Sequence, residues 1–264
     1  MIRLIFSGIL LLCALYPAYS QENQTQNAAL WADSVYDAMS AGERVGQLFM
    51  AAAYSNGNEE HKAEIERLVK ESNIGGLIFM QGGPGRQLRL TNRLQAEAKI
   101  PLLIGMDLEW GLAMRLDSTW QFPRQMELGA LRDHGLIREM GTEIGRQMNI
   151  LGVHINFAPV ADVNSNPDNP VIGTRSFGEN KFLVADKALA YMEGLQDAGV
   201  IAVAKHFPGH GDTDKDSHET LPVISHDKSR IDDIESYPFR KLIQSGVGGM
   251  MTAHLLVKDL DRNY

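Results

Sequence analysis

The chain reads as an α/β protein on a parallel sheet, and of the parallel architectures a (β/α)8, TIM-type barrel fits it. Three observations carry that reading. Apolar runs of strand length recur six times, a helical pattern separates them, and polar residues stand where several runs end. The runs are Gln47–Ala53, Gly75–Met80, Pro101–Met106, Val153–Ala158, Val200–Ala204 and Gly248–Thr252. They are nearly continuous in apolar residues instead of alternating, as strands buried on both faces are. Helical periodicity falls over Glu59–Ser72, Gln87–Lys99, Leu136–Leu151, Lys181–Ala198 and Ile231–Gln244, with Pro238 interrupting the last. Strand then helix, repeated, is the α/β pattern.

A doubly wound sheet would carry a glycine-rich nucleotide turn after an early strand. Gly82-Gly83-Pro84-Gly85 follows the second run but lacks the G-x-G-x-x-G spacing, and Pro84 removes an amide that would cradle phosphate. A barrel predicts polar groups at the C-terminal ends of several different strands. Asp107 follows PLLIGM, Asp162 follows VHINFAPVA, Lys205 and His206 follow VIAVA, and His254 follows GMMTA. The barrel is therefore preferred. Six of its eight units are countable, so the domain, residues 31–264, is expected to be incomplete at its C-terminus or open on one side.

Ahead of that domain lies a segment expected to leave the mature protein. In residues 1–20, Arg3 gives a positive start, Leu4 to Leu15 an apolar core too short to span a membrane, and Ala18-Tyr19-Ser20 a cleavage site. This predicts a signal peptide and export to the periplasm or beyond. Leu12 stands where a lipidated Cys13 would need a small residue, which argues against a lipoprotein. Residues 21–30 are expected to be a flexible mature terminus.

The charge balance excludes other classes. With 25 Lys+Arg against 33 Asp+Glu, the formal charge is −8, and losing Arg3 makes it 24 − 33 = −9. Neither nucleic acid nor an anionic membrane surface suits such a chain as partner. Cys13 is the one cysteine and leaves with the signal peptide, which removes disulfides, thiolate metal sites and a cysteine nucleophile.

Chemistry concentrates in Lys205 to Pro222, KHFPGHGDTDKDSHETLP. Its glycines and charges cannot continue the buried run before it, so it is a loop at a strand's end, where functional groups gather. Asp216 and His218 are two residues apart, close enough for a carboxylate to meet an imidazole, a pairing suited to acid/base work near neutral pH. Asp212, Asp214 and Asp216 imitate the opening of a calcium loop. However, Ser217 replaces the glycine at its sixth position and Val223 the glutamate at its twelfth. His206, His210, His218 and His254 lack the H-E-x-x-H or H-x-H spacing of a zinc site. No metal and no cofactor is expected.

Four segments together, MDLEWGLAMRL, NFAPVADVNSNPDNPVIGTRSFG, KHFPGHGDTDKDSHETLP and MMTAH, resemble glycoside hydrolase family 3. More narrowly they resemble its β-N-acetylglucosaminidases, the β-hexosaminidase subgroup that recycles cell-wall amino sugars, and the DSH in the long loop separates these from the β-glucosidases. The resemblance implies a retaining exo-glycosidase on a (β/α)8 barrel, with an amino-sugar glycan as its partner. It implies His218 as acid/base in place of a carboxyl group, with Asp216 as its partner. Asp107, Arg115, Arg175, Lys205 and His206 would bind sugar hydroxyls. His210 is a candidate for orienting the catalytic loop and His254 for lining the pocket. Glu109 also matches the family pattern, whereas Trp110 stands where many bacterial relatives have glycine, free to stack on a sugar or to pack under the loop. Asp162 and Asn164 are expected to brace their loop, while His61, His134 and His226 are expected to carry no function. No residue matches the family's nucleophilic aspartate, and neither Asp259 nor Asp261 is nominated. That gap keeps a second reading open, a non-catalytic sugar-binding or scaffold protein. The resemblance also leaves room for a further C-terminal domain.

Overall fold

The computed structural model describes residues 26–214 and 221–259. They fall into two compact units, one running to Leu48 and one beginning at Phe49. In the first unit, residues 26–38 form helix α1, which takes in the last five of the 21–30 stretch set apart as a terminus. Helix α2 (Ala41–Gly46) starts from a reciprocal cap, with Ser40 accepting from the Glu43 amide and Glu43 accepting from the Ser40 amide.

Among the described residues, every strand lies in the second unit. β1 (Met50–Tyr54), β2 (Gly76–Gln81), β3 (Leu103–Met106), β4 (Ile155–Asn156), β5 (Ile201–Phe207) and β7 (Gly249–Thr252) form one six-stranded sheet in that order. Each neighbouring pair is parallel. A second, two-stranded sheet pairs β6 (Val223–Ile224) with β8 (Leu256–Val257). Strands that follow one another in sequence and lie side by side, each reached through a helical crossover, are the arrangement of an α/β barrel wall.

The crossovers start where side chains satisfy otherwise unpaired amides. Asn58 accepts from the His61 amide ahead of α3 (Glu59–Glu71). Pro84 opens α4 (Pro84–Glu97), where a missing N–H costs nothing. Asp133 caps α6 (His134–Ile150), and Asn180 caps α7 (Lys181–Asp197). The short α5 (Gln125–Gly129) ends against the buried Lys187, whose ammonium donates to the carbonyls of Gly129 at 2.6 Å and Leu131 at 2.7 Å. A cation at a helix C-terminus also opposes the helix dipole.

Two expectations need correction. The first strand begins at Met50, not Gln47, because Gln47 is the C-cap of α2. The helix expected over Ile231–Gln244 is a short α8 (Lys228–Arg230), a π turn over Ile231–Glu235 and a separate α9 (Tyr237–Gln244). Pro238 lies in the first turn of α9, so it starts a helix instead of interrupting one.

Helices α6 and α7 meet through glycines. A Cβ on Gly194 would stand 2.1 Å from the Arg138 carbonyl oxygen, and one on Gly141 would stand 2.6 Å from that of Tyr191. Both obstacles are backbone, which cannot swing aside. Gly194→Ala should therefore destabilise the protein by about 1–3 kcal/mol despite alanine's better helix propensity. Thermal unfolding checks this, since an unchanged or raised Tm would show that the helices have room.

Candidate functional site

The site forms where β3, β4 and β5 end. β3 closes at Met106 and delivers the segment Asp107–Glu109, whose two acids both reach Lys205 while Leu108 between them is buried in the core. Asn156 of β4 fixes that segment, its side-chain oxygen accepting from the Leu108 amide at 3.0 Å, and Tyr191 of α7 donates its hydroxyl to the Leu108 carbonyl at 2.8 Å. The chain then turns at Gly111, whose φ of 83° lies in the region that favours glycine, and a 3₁₀ turn (Leu112–Met114) presents Arg115. A second 3₁₀ turn (Gly173–Arg175) brings in Arg175, and β5 itself carries Lys205 and His206. The Lys205–His206 peptide bond is cis.

These side chains form one connected network. Lys205, 2% exposed, donates to Asp107 Oδ1 and Glu109 Oε1, both at 2.7 Å. Arg115 donates to the other Asp107 oxygen at 2.5 Å. Arg175 grips Glu109 with two bonds, Nη2 to Oε1 at 2.7 Å and Nε to Oε2 at 3.0 Å. Its Nη2 also lies 3.4 Å from His206 Nε2. On the far side of the imidazole, His206 Nδ1 is 2.7 Å from Asp162 Oδ2. All five sugar-binding candidates, Asp107, Arg115, Arg175, Lys205 and His206, are thus brought together.

The network's charges are balanced, which is what allows them to be buried. Burial pushes the Asp107 carboxyl up, but Lys205 and then Arg115 outweigh it and hold it below the ordinary range. Glu109 is fully buried, and there too burial is outweighed, by Lys205 and Arg175, which hold the carboxyl at about 2. Asp162 is lowered against its burial by His206 and by the His210 and His206 amides. The three acids are therefore carboxylates at neutral pH, facing one ammonium and two guanidiniums. Carboxylates that accept and cations that donate in fixed directions suit a ring bearing several hydroxyls.

Two residues carry more here than their sequence context implies. Glu109 is the acid that joins Lys205 to Arg175. Asp162, expected to brace a loop, does so by accepting from the His210 amide at 2.7 Å and also meets the His206 ring. His210 is buried, with Nδ1 2.6 Å from the Thr213 hydroxyl, and its carbonyl accepts from Asn169 at 2.8 Å. Its Nε2 has no partner among the described residues. His226, expected to carry no function, pairs with Asp212 of the KHFPGHGD segment. Trp110 has the Arg124 guanidinium over its ring at 4.5 Å, which commits that face to packing. His254 is exposed and makes no hydrogen bond among the described residues, so nothing ties it to the network. Asp216 and His218 lie outside the described residues.

Successive strands of one parallel sheet thus end in a single charge-balanced cluster, at the end of the strands where (β/α)8 barrels gather their functional groups. The chain belongs to glycosyl hydrolase family 3: residues 40–263 match that family's N terminal domain. It is 38% identical over 214 residues to the beta-hexosaminidase A of Pseudoalteromonas piscicida, an alignment covering 76% of this chain and 36% of that protein. A glycoside hydrolase family 3 beta-N-acetylglucosaminidase from Paenibacillus sp. str. FPU-7 superposes with a TM-score of 0.79 at 40% identity, covering 86% of this chain and 44% of that one. NagZ from Neisseria gonorrhoeae, solved with N-trifluoroacetyl-D-glucosamine, superposes with a TM-score of 0.71 at 29% identity, covering 80% and 65%. The chain spans about a third to a half of the length of the first curated relatives it matches.

Proposed function

We propose that this chain is the barrel domain of an exported, retaining exo-glycosidase that releases terminal β-linked N-acetylglucosamine from cell-wall or chitin-like glycans. The observation that carries the proposal is the buried network of Asp107, Glu109, Lys205, Arg115 and Arg175 at the strand ends. Two relatives bear names that specify a hexosaminidase and a β-N-acetylglucosaminidase, and a third was solved with an N-acylated glucosamine. Residues 1–20 support export.

In the reaction, the network holds the terminal sugar by its hydroxyls. A carboxylate nucleophile attacks the anomeric carbon as the bond to the leaving oxygen breaks, and His218 gives that oxygen its proton. His218 then takes a proton from the water that frees the sugar and restores the carboxylate. Asp216 would orient the imidazole and stabilise its protonated form. The nucleophile is assigned to none of the residues of this chain.

The test is turnover of aryl β-glycosides of N-acetylglucosamine and of glucose by the full-length protein. The amino sugar should be strongly preferred, and equal turnover of the two would overturn the amino-sugar assignment. Sugar binding without any turnover would make the protein a binding module instead.

A further inference from the structure

We infer that Asp162 is a positioning residue for sugar recognition: it locks His206 in one tautomer, with the proton on Nδ1 and the Nε2 lone pair aimed at the bound sugar. The inference rests on the glycosidase reading above and adds to it the state in which His206 must be held. The two faces of the imidazole are defined independently. A carboxylate can only accept, so the proton between Asp162 Oδ2 and His206 Nδ1, 2.7 Å apart, belongs to the histidine. A guanidinium can only donate, so the nitrogen 3.4 Å from Arg175 Nη2 presents a lone pair. Opposite requirements at the two nitrogens admit one tautomer.

The Arg175 contact is long, because Nη2 is already committed to Glu109 at 2.7 Å. A sugar hydroxyl donating to Nε2 would therefore displace little and gain a well-directed acceptor. Asp162 is itself completely buried and held from both ends of its loop, with its carbonyl accepting from the Ser176 hydroxyl at 2.6 Å. Its carboxylate also takes the amides of His206 at 3.2 Å and His210 at 2.7 Å. One side chain thus sets both the ring's proton and the backbone from which the ring projects. An outer carboxylate that fixes a histidine's tautomer for its ligand is a recurring arrangement.

The experiment is nitrogen NMR of histidine-labelled protein, combined with kinetics on an aryl N-acetylglucosaminide. In the free wild-type protein His206 should show a protonated Nδ1 and a pyridine-type Nε2. Asp162→Asn should lose that pattern and raise KM roughly tenfold or more, the loss expected for one charge-assisted hydrogen bond, with a smaller change in kcat. In a His206→Gln background the same Asp162→Asn change should add little to KM, because no tautomer is left to fix. A protonated Nε2 in the wild type overturns the inference even if Asp162→Asn does not fold. So does an Asp162→Asn effect on KM of equal size in both backgrounds, which would mark a purely structural role. Failure of the glycosidase reading shows separately, as absent turnover by the wild type, and leaves the tautomer measurement to decide.

Discussion

Glu109→Gln should destabilise the protein by about 3–5 kcal/mol, the cost typical of removing one partner from a buried ion network. The carboxylate is fully buried and is shared by Lys205 and Arg175. Glutamine keeps the shape, but one of its two oxygens becomes an amide that donates towards a cation. Lys205 would retain Asp107, whereas Arg175 would lose its forked partner and keep a carbonyl contact to Val171 at 3.4 Å. For a domain of this size the loss corresponds to a Tm drop of roughly 10 °C. Activity should fall as well, since both cations are placed by the residue removed. Unfolding monitored by calorimetry or denaturant decides, and a loss below about 1 kcal/mol would mean that the network contributes little to stability.

The same residue predicts how acid acts on the wild type. The native carboxyl of Glu109 lies at about 2, against an ordinary 4.5, so the unfolded chain binds its proton first as pH falls. The stability it contributes is therefore complete above about 4.5 and is lost as pH falls towards 2, an amount of about 3 kcal/mol. Asp107 and Asp162 are lowered too and act in the same direction. Glu109→Gln should accordingly unfold with a shallower dependence on pH in that window.

Much of this site was legible because barrel geometry converts position in the chain into position in space. A polar residue directly after an apolar run lands at a strand's C-terminal end, which is how Asp107, Lys205 and His206 could be placed from sequence. Arg115 and Arg175 sit on turns whose course no periodicity reveals, and only the family resemblance marked them. Glu109 carried a local signal that strand-end reasoning passes over. It stands two residues after Asp107, with an apolar residue between them, and meets the same ammonium of Lys205. Asp162 was recognised as a loop brace, but its second task depends on a ring 44 residues away. The pairing of Val223–Ile224 with Leu256–Val257 had no visible precursor, since strands two residues long are too short for any pattern.

His218→Ala should slow turnover by about 10² to 10⁴-fold, the range that acid/base participation contributes. The reason lies in the segment that follows β5, the strand that carries Lys205 and His206. Asp162 holds the root of that segment through the His206 and His210 amides, and Asn169 and Thr213 hold it at His210. Asp216 and His218 follow this anchored stretch in the sequence and lie outside the described residues. If His218 protonates the leaving oxygen, the defect must depend on how much help that oxygen needs. An aryl glycoside whose phenol is a strong acid leaves almost unaided, so its glycosylation step should be nearly normal in the variant and only the water step should lag. A poor leaving group should show the full loss. Asp216→Asn should follow the same dependence with a smaller amplitude, because it disturbs the imidazole without removing it. The measurement is kcat/KM across a series of leaving groups for wild type and both variants. Wild-type rates for His218→Ala on the poorest leaving group would remove the acid/base assignment, and a loss independent of the leaving group would recast His218 as a sugar-binding residue.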